Sequence, residues 1–294
     1  MSRAHQPVTE ELRRWIAAQA DAGCRPDAVR ASIRASGWHE AVASAALEQT
    51  LRELRAAGGV VAPVPAPKAA AAAVPPQALP GPAPQQGAAR LQAGGREVDV
   101  LTSLKLPRVV VFGQLLSIEE CTGLMALAAP RLARSETVDN ATGDTELNAA
   151  RTSDGMFFER GEAPLVTRIE QRIADLLHWP VDHGEGLQVL RYRPGTEYRP
   201  HHDYFDPAHP GTERILQRGG QRVASLVMYL NTPEGGGATI FPDVGLEVWP
   251  VRGNAVFFSY DRPHPYTRTL HGGAPVTVGE KWVATKWLRQ GVFT

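Results

Sequence analysis

The chain has 294 residues, enough for one large domain or a domain with an appendage and for a substantial buried core. Its 31 basic side chains balance 31 acidic ones, so the composition gives no cationic bias of the kind that would make nucleic acid the main partner. No apolar run reaches the roughly 20 residues a bilayer-spanning helix needs, no charged-then-apolar signal layout opens the chain, and Cys24 and Cys121 are too few and too isolated for a disulfide framework or a zinc cluster. A cytoplasmic protein with neither nucleic acid nor membrane as partner is expected.

Residues 9–57 carry helical spacing, which predicts a small helical domain over residues 1–57. Thr9 can cap a first helix with Glu10 and Glu11 in its first turn; Leu12, Ile16 and Ala20 share a face, and Gly23 can end it. Pro26 suits the first turn of a second helix presenting Val29 and Ile33 and stopping near Gly37, and Val42, Ala46, Leu47, Leu51 and Leu54 form the stripe of a third. This predicts a small three-helix unit with no chemistry of its own, either a docking module for a protein partner or a stabilising appendage. Residues 58–95 turn to Ala, Pro, Gly and Gln with Lys68 and Arg90 the only charges, a composition that cannot bury enough apolar surface to offset its ordering entropy; a disordered linker is expected. Residues 96–294 should then form the main domain.

That domain begins with mixed signals: a strand at Val109–Phe112, a helix starting at Ser117 with Glu119 and Glu120 in its first turn, and a helix over Leu165–Leu177. From Gly184 the pattern becomes short strands, Gly186–Arg193, Arg222–Leu230, Ala238–Phe241, Leu246–Val251, Ala255–Tyr260 and Lys281–Leu288, separated by Gly, Pro, Asn and Asp. Helices first and many strands after predict an α+β fold whose strands close as a barrel or jelly roll. Residues 204–220, rich in Pro, Gly and charge, are too long for a tight turn and predict a mobile lid.

Chemistry concentrates in the run Tyr192-Arg193-Pro194-Gly195-Thr196-Glu197-Tyr198-Arg199-Pro200-His201-His202-Asp203. His201 and Asp203 are two apart, and residues two apart in an extended segment project to one side, which suits paired ligation of one ion. Two histidines and a carboxylate can take one face of an octahedral ferrous ion and leave positions open for a co-substrate and dioxygen. The third ligand is expected at His271 rather than His264, because His264 sits between two prolines whereas His271 precedes a strand beginning at Lys281. His202 should point to the opposite face. On the last strand Lys281, Val283, Thr285 and Trp287 share one side, and one cation on an otherwise apolar face predicts a pocket wall.

Through these residues the chain resembles the prolyl 4-hydroxylases within the iron(II) and 2-oxoglutarate-dependent dioxygenases. The resemblance rests on Tyr192-x-Pro-Gly-x-x-Tyr198-x-x-His201-x-Asp203, on Gly236-Gly237-Ala238-Thr239-x-Phe241-Pro242, and on His271-x-x-x-Pro275-x-x-x-Gly279-x-Lys281-Trp282 followed by Trp287. It implies a double-stranded β-helix (jelly-roll) core with flanking helices, with His201, Asp203 and His271 holding Fe(II). It also implies Lys281, Tyr192, Thr239 and Trp287 around 2-oxoglutarate, O2 as second co-substrate and ascorbate as reductant. Arg151, Ser153, Glu185, Tyr198 and Arg222 fall at positions that meet a proline-containing peptide or protein in similar enzymes; alternation puts Glu185 opposite Tyr192, so Glu185 is expected before the strand proper. The implied reaction is hydroxylation of peptidyl proline coupled to decarboxylation of 2-oxoglutarate to succinate and CO2. Hydroxylation of a free amino acid or other small molecule at the same site, or a non-catalytic oxygen or metabolite sensor, are the alternatives.

Overall fold

Hydrophobic spacing closes a helical core at the start of the chain. In the computed structural model, which describes residues 8, 10–21, 26–35, 40–56, 79–82, 89–134, 137–138, 145–146, 152–207 and 209–294, helices α1 (Glu10–Asp21), α2 (Pro26–Ala35) and α3 (Glu40–Ala56) bury Leu12, Ile16, Val29, Ile33, Ala46 and Leu47 together. The α3 stripe is rotated from the expected one. Ala43 and Thr50 are buried in it while Val42 is only half-buried, because Thr50 satisfies its hydroxyl on the Ala46 carbonyl at 2.8 Å and so tolerates the interior. Thr9, Gly23, Cys24 and Gly37 lie outside the described residues. The chain falls into two units, residues 1–76 and 77–294.

The second unit runs β1 (Arg90–Ala93), β2 (Arg96–Leu104), β3 (Arg108–Gly113), α4 (Ile118–Ala128), β4 (Ala133–Arg134), β5 (Thr137–Val138), β6 (Thr145–Glu146), β7 (Asp154–Phe158), α5 (Pro164–Leu177), β8 (Leu187–Tyr192), β9 (Tyr198–His201), α6 (Thr212–Leu216) and β10 (Arg222–Tyr229). It continues through β11 (Gly235–Gly236), β12 (Thr239–Phe241), β13 (Leu246–Val248), β14 (Ala255–Ser259), β15 (His271–Gly273), β16 (Val276–Val278) and β17 (Lys281–Arg289). Much of the expected linker 58–95 falls outside the described residues, but its end is corrected. Gly94 and Gly95, at φ of 53° and 73°, form the two-residue turn of a hairpin that pairs Ala93 with Arg96, so a glycine pair read as linker is hairpin chemistry. The Gly81 N–H also donates to the Leu177 carbonyl at 2.9 Å.

A nine-stranded sheet in the order β1-β2-β3-β14-β10-β17-β8-β7-β4 faces a four-stranded sheet in the order β13-β12-β15-β9. The ladders are antiparallel. Every residue of β17 is buried, because both of its faces are covered. Trp282, Ala284 and Leu288 join Ile169, Ile173 and Leu177 of α5 in one core, while Val283 belongs to a second core with Tyr192, Phe241 and Phe258 between the sheets. On the helix side Lys286 Nζ meets Glu170 of α5 at 2.6 Å, both fully enclosed. Ser117 and Glu120 cap α4 reciprocally, and Glu120 also takes two bonds from Arg172, at 2.7 and 2.8 Å, tying α4 to α5. The result is an α+β protein with a jelly-roll core flanked by helices, as expected.

The expected lid at 204–220 is not structureless. It contains α6, Tyr204 and Phe205 are buried, and the Gln221 amide accepts from the Phe205 N–H at 2.8 Å and donates to the Phe205 carbonyl at 2.7 Å, which pins the segment at its base. Among the described residues, no helix is long and apolar enough to cross a membrane.

Candidate active site

Strands β9 and β15 are neighbours in the smaller sheet, and their register sets His201 directly against His271. Strand β9 ends at His201, so Asp203 lies in the bend beyond it rather than on the same extended strand, as spacing alone had predicted. The carboxylate nevertheless returns to the histidines. Asp203 Oδ1 is 3.5 Å from His201 Nε2 and Oδ2 is 3.5 Å from His271 Nε2, with all three donor atoms within 4.8 Å of one another.

The donor chemistry fits a metal ion. His201 Nδ1 lies 2.8 Å from the Arg199 carbonyl and His271 Nδ1 lies 3.0 Å from the Thr269 carbonyl. A carbonyl only accepts, so each Nδ1 carries the ring proton and each Nε2 presents a lone pair to the shared space. Burial against Phe258 pulls the His271 pKa down to about 4, which keeps its imidazole neutral. Burial pushes Asp203 upward, but His271, His201 and Arg222 outweigh it and hold the carboxyl well below its usual range. Two imidazole nitrogens and a carboxylate are a set that suits a ferrous ion. His264 is excluded, because its exposed ring accepts the Tyr266 N–H at 3.1 Å as a turn cap. His202 stacks on Tyr204 with ring centres 4.6 Å apart.

A cleft of about 460 Å³, open to solvent, extends from these residues and is lined by Tyr192, Tyr198, Thr239, Lys281, Thr285 and Trp287 among others. Lys281, Val283, Thr285 and Trp287 all line it, as alternation along the last strand predicts. Lys281 is 4% exposed, and burial lowers its pKa to about 7. Tyr198 lies flat on the His201 ring at 3.7 Å. Tyr229 O–H donates to Thr239 Oγ1 at 2.8 Å, leaving the threonine proton free to bind a ligand. The Trp287 Nε1 is buried and has no hydrogen-bond partner among the described residues.

The expected substrate residues divide. Glu185 precedes β8, as expected, with its N–H on the Trp287 carbonyl at 3.0 Å, and its carboxylate grips Arg222 at 2.6 and 2.8 Å. The guanidinium of Arg222 lies 4.2 Å from the Trp287 ring, so this ion pair stands beside the tryptophan rather than among the cleft-lining residues. Ser153 is buried outside that lining, and Arg151 lies outside the described residues. Sequence reasoning missed Ser225 and Tyr229. Their signal was parity on β10: Ala224, Leu226 and Met228 enter the helix-side core, so Ser225, Val227 and Tyr229 turn to the opposite face, where Val227 lines the cleft and Tyr229 joins the core between the sheets.

The family model described as the 2OG-Fe(II) oxygenase superfamily matches residues 187–289. The chain is 41% identical over 208 residues to a probable prolyl 4-hydroxylase 3 of Arabidopsis thaliana, covering 64% of this chain and 71% of that one. It is 43% identical over 202 residues to prolyl 4-hydroxylase 1 of the same organism, covering 63% and 69%. A solved structure of the viral collagen prolyl hydroxylase of Paramecium bursaria Chlorella virus-1, a 2OG complex, aligns at 30% identity over 62% of this chain and 95% of that one with a TM-score of 0.47. With 41% identity sustained over more than two thirds of a relative's length, the chain belongs to the prolyl 4-hydroxylase family of 2OG-Fe(II) oxygenases.

Proposed function

We propose that the chain hydroxylates proline in a protein or peptide at C4. The observation that carries this reading is a buried lysine, Lys281, with no acidic partner among the described residues, lining the same cleft as the His201, Asp203 and His271 donor set. Fe(II), 2-oxoglutarate and O2 supply the oxidising power, one oxygen atom going to succinate and one to the substrate, with ascorbate as reductant.

The side chains do the rest. His201, Asp203 and His271 hold the metal, and Lys281 takes the distal carboxylate of 2-oxoglutarate, supported by the hydroxyls of Tyr192 and Thr239. Because Lys281 is buried, that charge-assisted contact is stronger than in water. Trp287 closes the wall and offers its unused Nε1–H to a bound carbonyl. Tyr198, set on the His201 ring, packs against the proline, while Arg151, Ser153 and the Glu185–Arg222 pair contact the peptide backbone. Docking of a protein partner by α1–α3 belongs to the same proposal, since among the described residues these helices hold no metal-binding cluster. So does a cytoplasmic location, favoured by a chain with two cysteines of which Cys121 is a free thiol.

The test is mass spectrometry of proline-containing peptides incubated with iron(II), 2-oxoglutarate and oxygen. A gain of one oxygen matched by succinate, and absent with His201→Ala, is the expected result. Succinate released with free proline but not with any peptide would replace the peptide reading with a small-molecule one.

A further inference from the structure

We infer that Ser225 is a positioning residue that makes Asp203 a one-oxygen ligand, by committing Oδ2 to a short hydrogen bond and leaving Oδ1 the freer donor for the metal. This rests on the proposed metal role of His201, Asp203 and His271. Asp203 lies beyond the end of β9, so no strand ladder orients its side chain. Strand β10 and the residue just before it orient it instead, at three points. Gln221 clasps the backbone of Phe205 in both directions, Arg222 Nη1 donates to the Asp203 carbonyl at 3.3 Å, and Ser225 Oγ donates to Asp203 Oδ2 at 2.6 Å. The last distance is that of a charge-assisted hydroxyl–carboxylate bond.

The direction of the chain follows from proton counting. Ser225 is fully buried and its hydroxyl carries one proton, which an ionised Asp203 can only accept. The Tyr260 hydroxyl, 3.3 Å from the same Oγ, must therefore be the donor to Ser225. Burial, the largest influence on Tyr260, raises its pKa and keeps it protonated. Tyr260, Ser225 and Asp203 thus form a one-way relay of hydrogen bonds ending on Oδ2. The two carboxylate oxygens lie equally near the histidines, Oδ1 at 3.5 Å from His201 Nε2 and Oδ2 at 3.5 Å from His271 Nε2, and the hydroxyl bond is what distinguishes them. A carboxylate free to bind through both oxygens would occupy one more coordination position, and a facial triad needs that position for its co-substrates.

The test uses Co(II), whose visible spectrum reports coordination, added to the full chain and read by calorimetric titration and absorption. Ser225→Ala is expected to weaken Co(II) binding by about 10- to 100-fold and to alter the spectrum, with Ser225→Thr restoring both. Tyr260→Phe should lose about threefold to tenfold in the same direction, and it carries the test if Ser225→Ala does not fold. Wild-type affinity and spectrum in a folded Ser225→Ala, or in Tyr260→Phe when that variant carries the test, overturn the inference. A Ser225→Thr that is as weak as Ser225→Ala overturns it too, since that is the mark of packing alone. Failure of the wild-type chain to bind Co(II) overturns the metal-site reading itself.

Discussion

Lys281 and Tyr192 are directly paired across the β17–β8 ladder, and the lysine ammonium lies 5.5 Å from the centre of the tyrosine ring. The Tyr229 ring is 5.8 Å away on another side. The charge therefore sits among aromatic faces, which attract it weakly, and waits for a carboxylate. Replacing it with alanine leaves the distal carboxylate of bound 2-oxoglutarate without its cationic partner. Lys281→Ala should cost about 2–4 kcal/mol of co-substrate binding, on the order of 100-fold, read as KM for 2-oxoglutarate.

The same burial predicts a pH dependence. The Lys281 pKa is lowered to about 7, so in the free protein the amine is mostly neutral above that pH and binding a carboxylate must take up a proton. Affinity for 2-oxoglutarate is expected to be level below pH 7 and to fall by about tenfold per pH unit above it, until the raised pKa of the bound complex is passed. Titrations of 2-oxoglutarate between pH 6 and 9 check this; affinity that rises over that range contradicts it.

Thr239 depends on a residue outside the conspicuous motifs. Tyr229 donates to its Oγ1, which leaves the threonine proton free to donate to a ligand in the cleft that Thr239 lines. Tyr229→Phe removes one hydrogen bond worth about 1 kcal/mol. The expected outcome is a several-fold rise in KM for 2-oxoglutarate with little change in melting temperature.

The metal should stabilise the fold by mass action. At a free concentration about 100 times its Kd, a divalent ion adds about 2.7 kcal/mol. Co(II) or Mn(II) is expected to raise the melting temperature of the wild-type chain, a chelator to reverse the gain, and Asp203→Ala to abolish it. Differential scanning fluorimetry is sufficient.

Glu170 and Lys286 set a stability prediction away from the chemistry. Each is enclosed, they lie 2.6 Å apart, and Glu170 also accepts the Gly161 N–H at 2.8 Å. Glu170→Ala strands a buried ammonium and should cost about 3–5 kcal/mol. Glu170→Leu combined with Lys286→Met removes both charges and should lie closer to wild type, as measured by denaturant unfolding.

Much of the site is legible in the sequence because its signals are local. Alternation places Lys281, Val283, Thr285 and Trp287 on one face, and the structure lines the cleft with all four. Strands β8, β10, β12, β13, β14 and β17 follow from their Gly and Pro boundaries, with ends trimmed where ladder pairing stops, whereas the two- to four-residue strands β9, β11, β15 and β16 are too short to carry a pattern. Leu246–Val248 is shorter than Leu246–Val251 because Pro250 has no N–H to donate. What was misread is equally physical. The Gly94–Gly95 turn is hidden by its Ala/Pro-rich surroundings. The clasp by which Gln221 pins the base of the 204–220 segment has no local signal either, because it joins residues 16 positions apart along the chain.

From the residues alone came the ligand types, the buried cation, the order of helices before strands, and the family resemblance those motifs carry. These need only periodicity and spacing, which act between residues a few positions apart. The pairing of His201 with His271, the return of Asp203 to them by way of Ser225, and the union of Glu185 with Arg222 were settled by the folded chain. Their partners lie 22 to 70 positions apart, and only sheet register and core packing bring such residues within hydrogen-bonding distance.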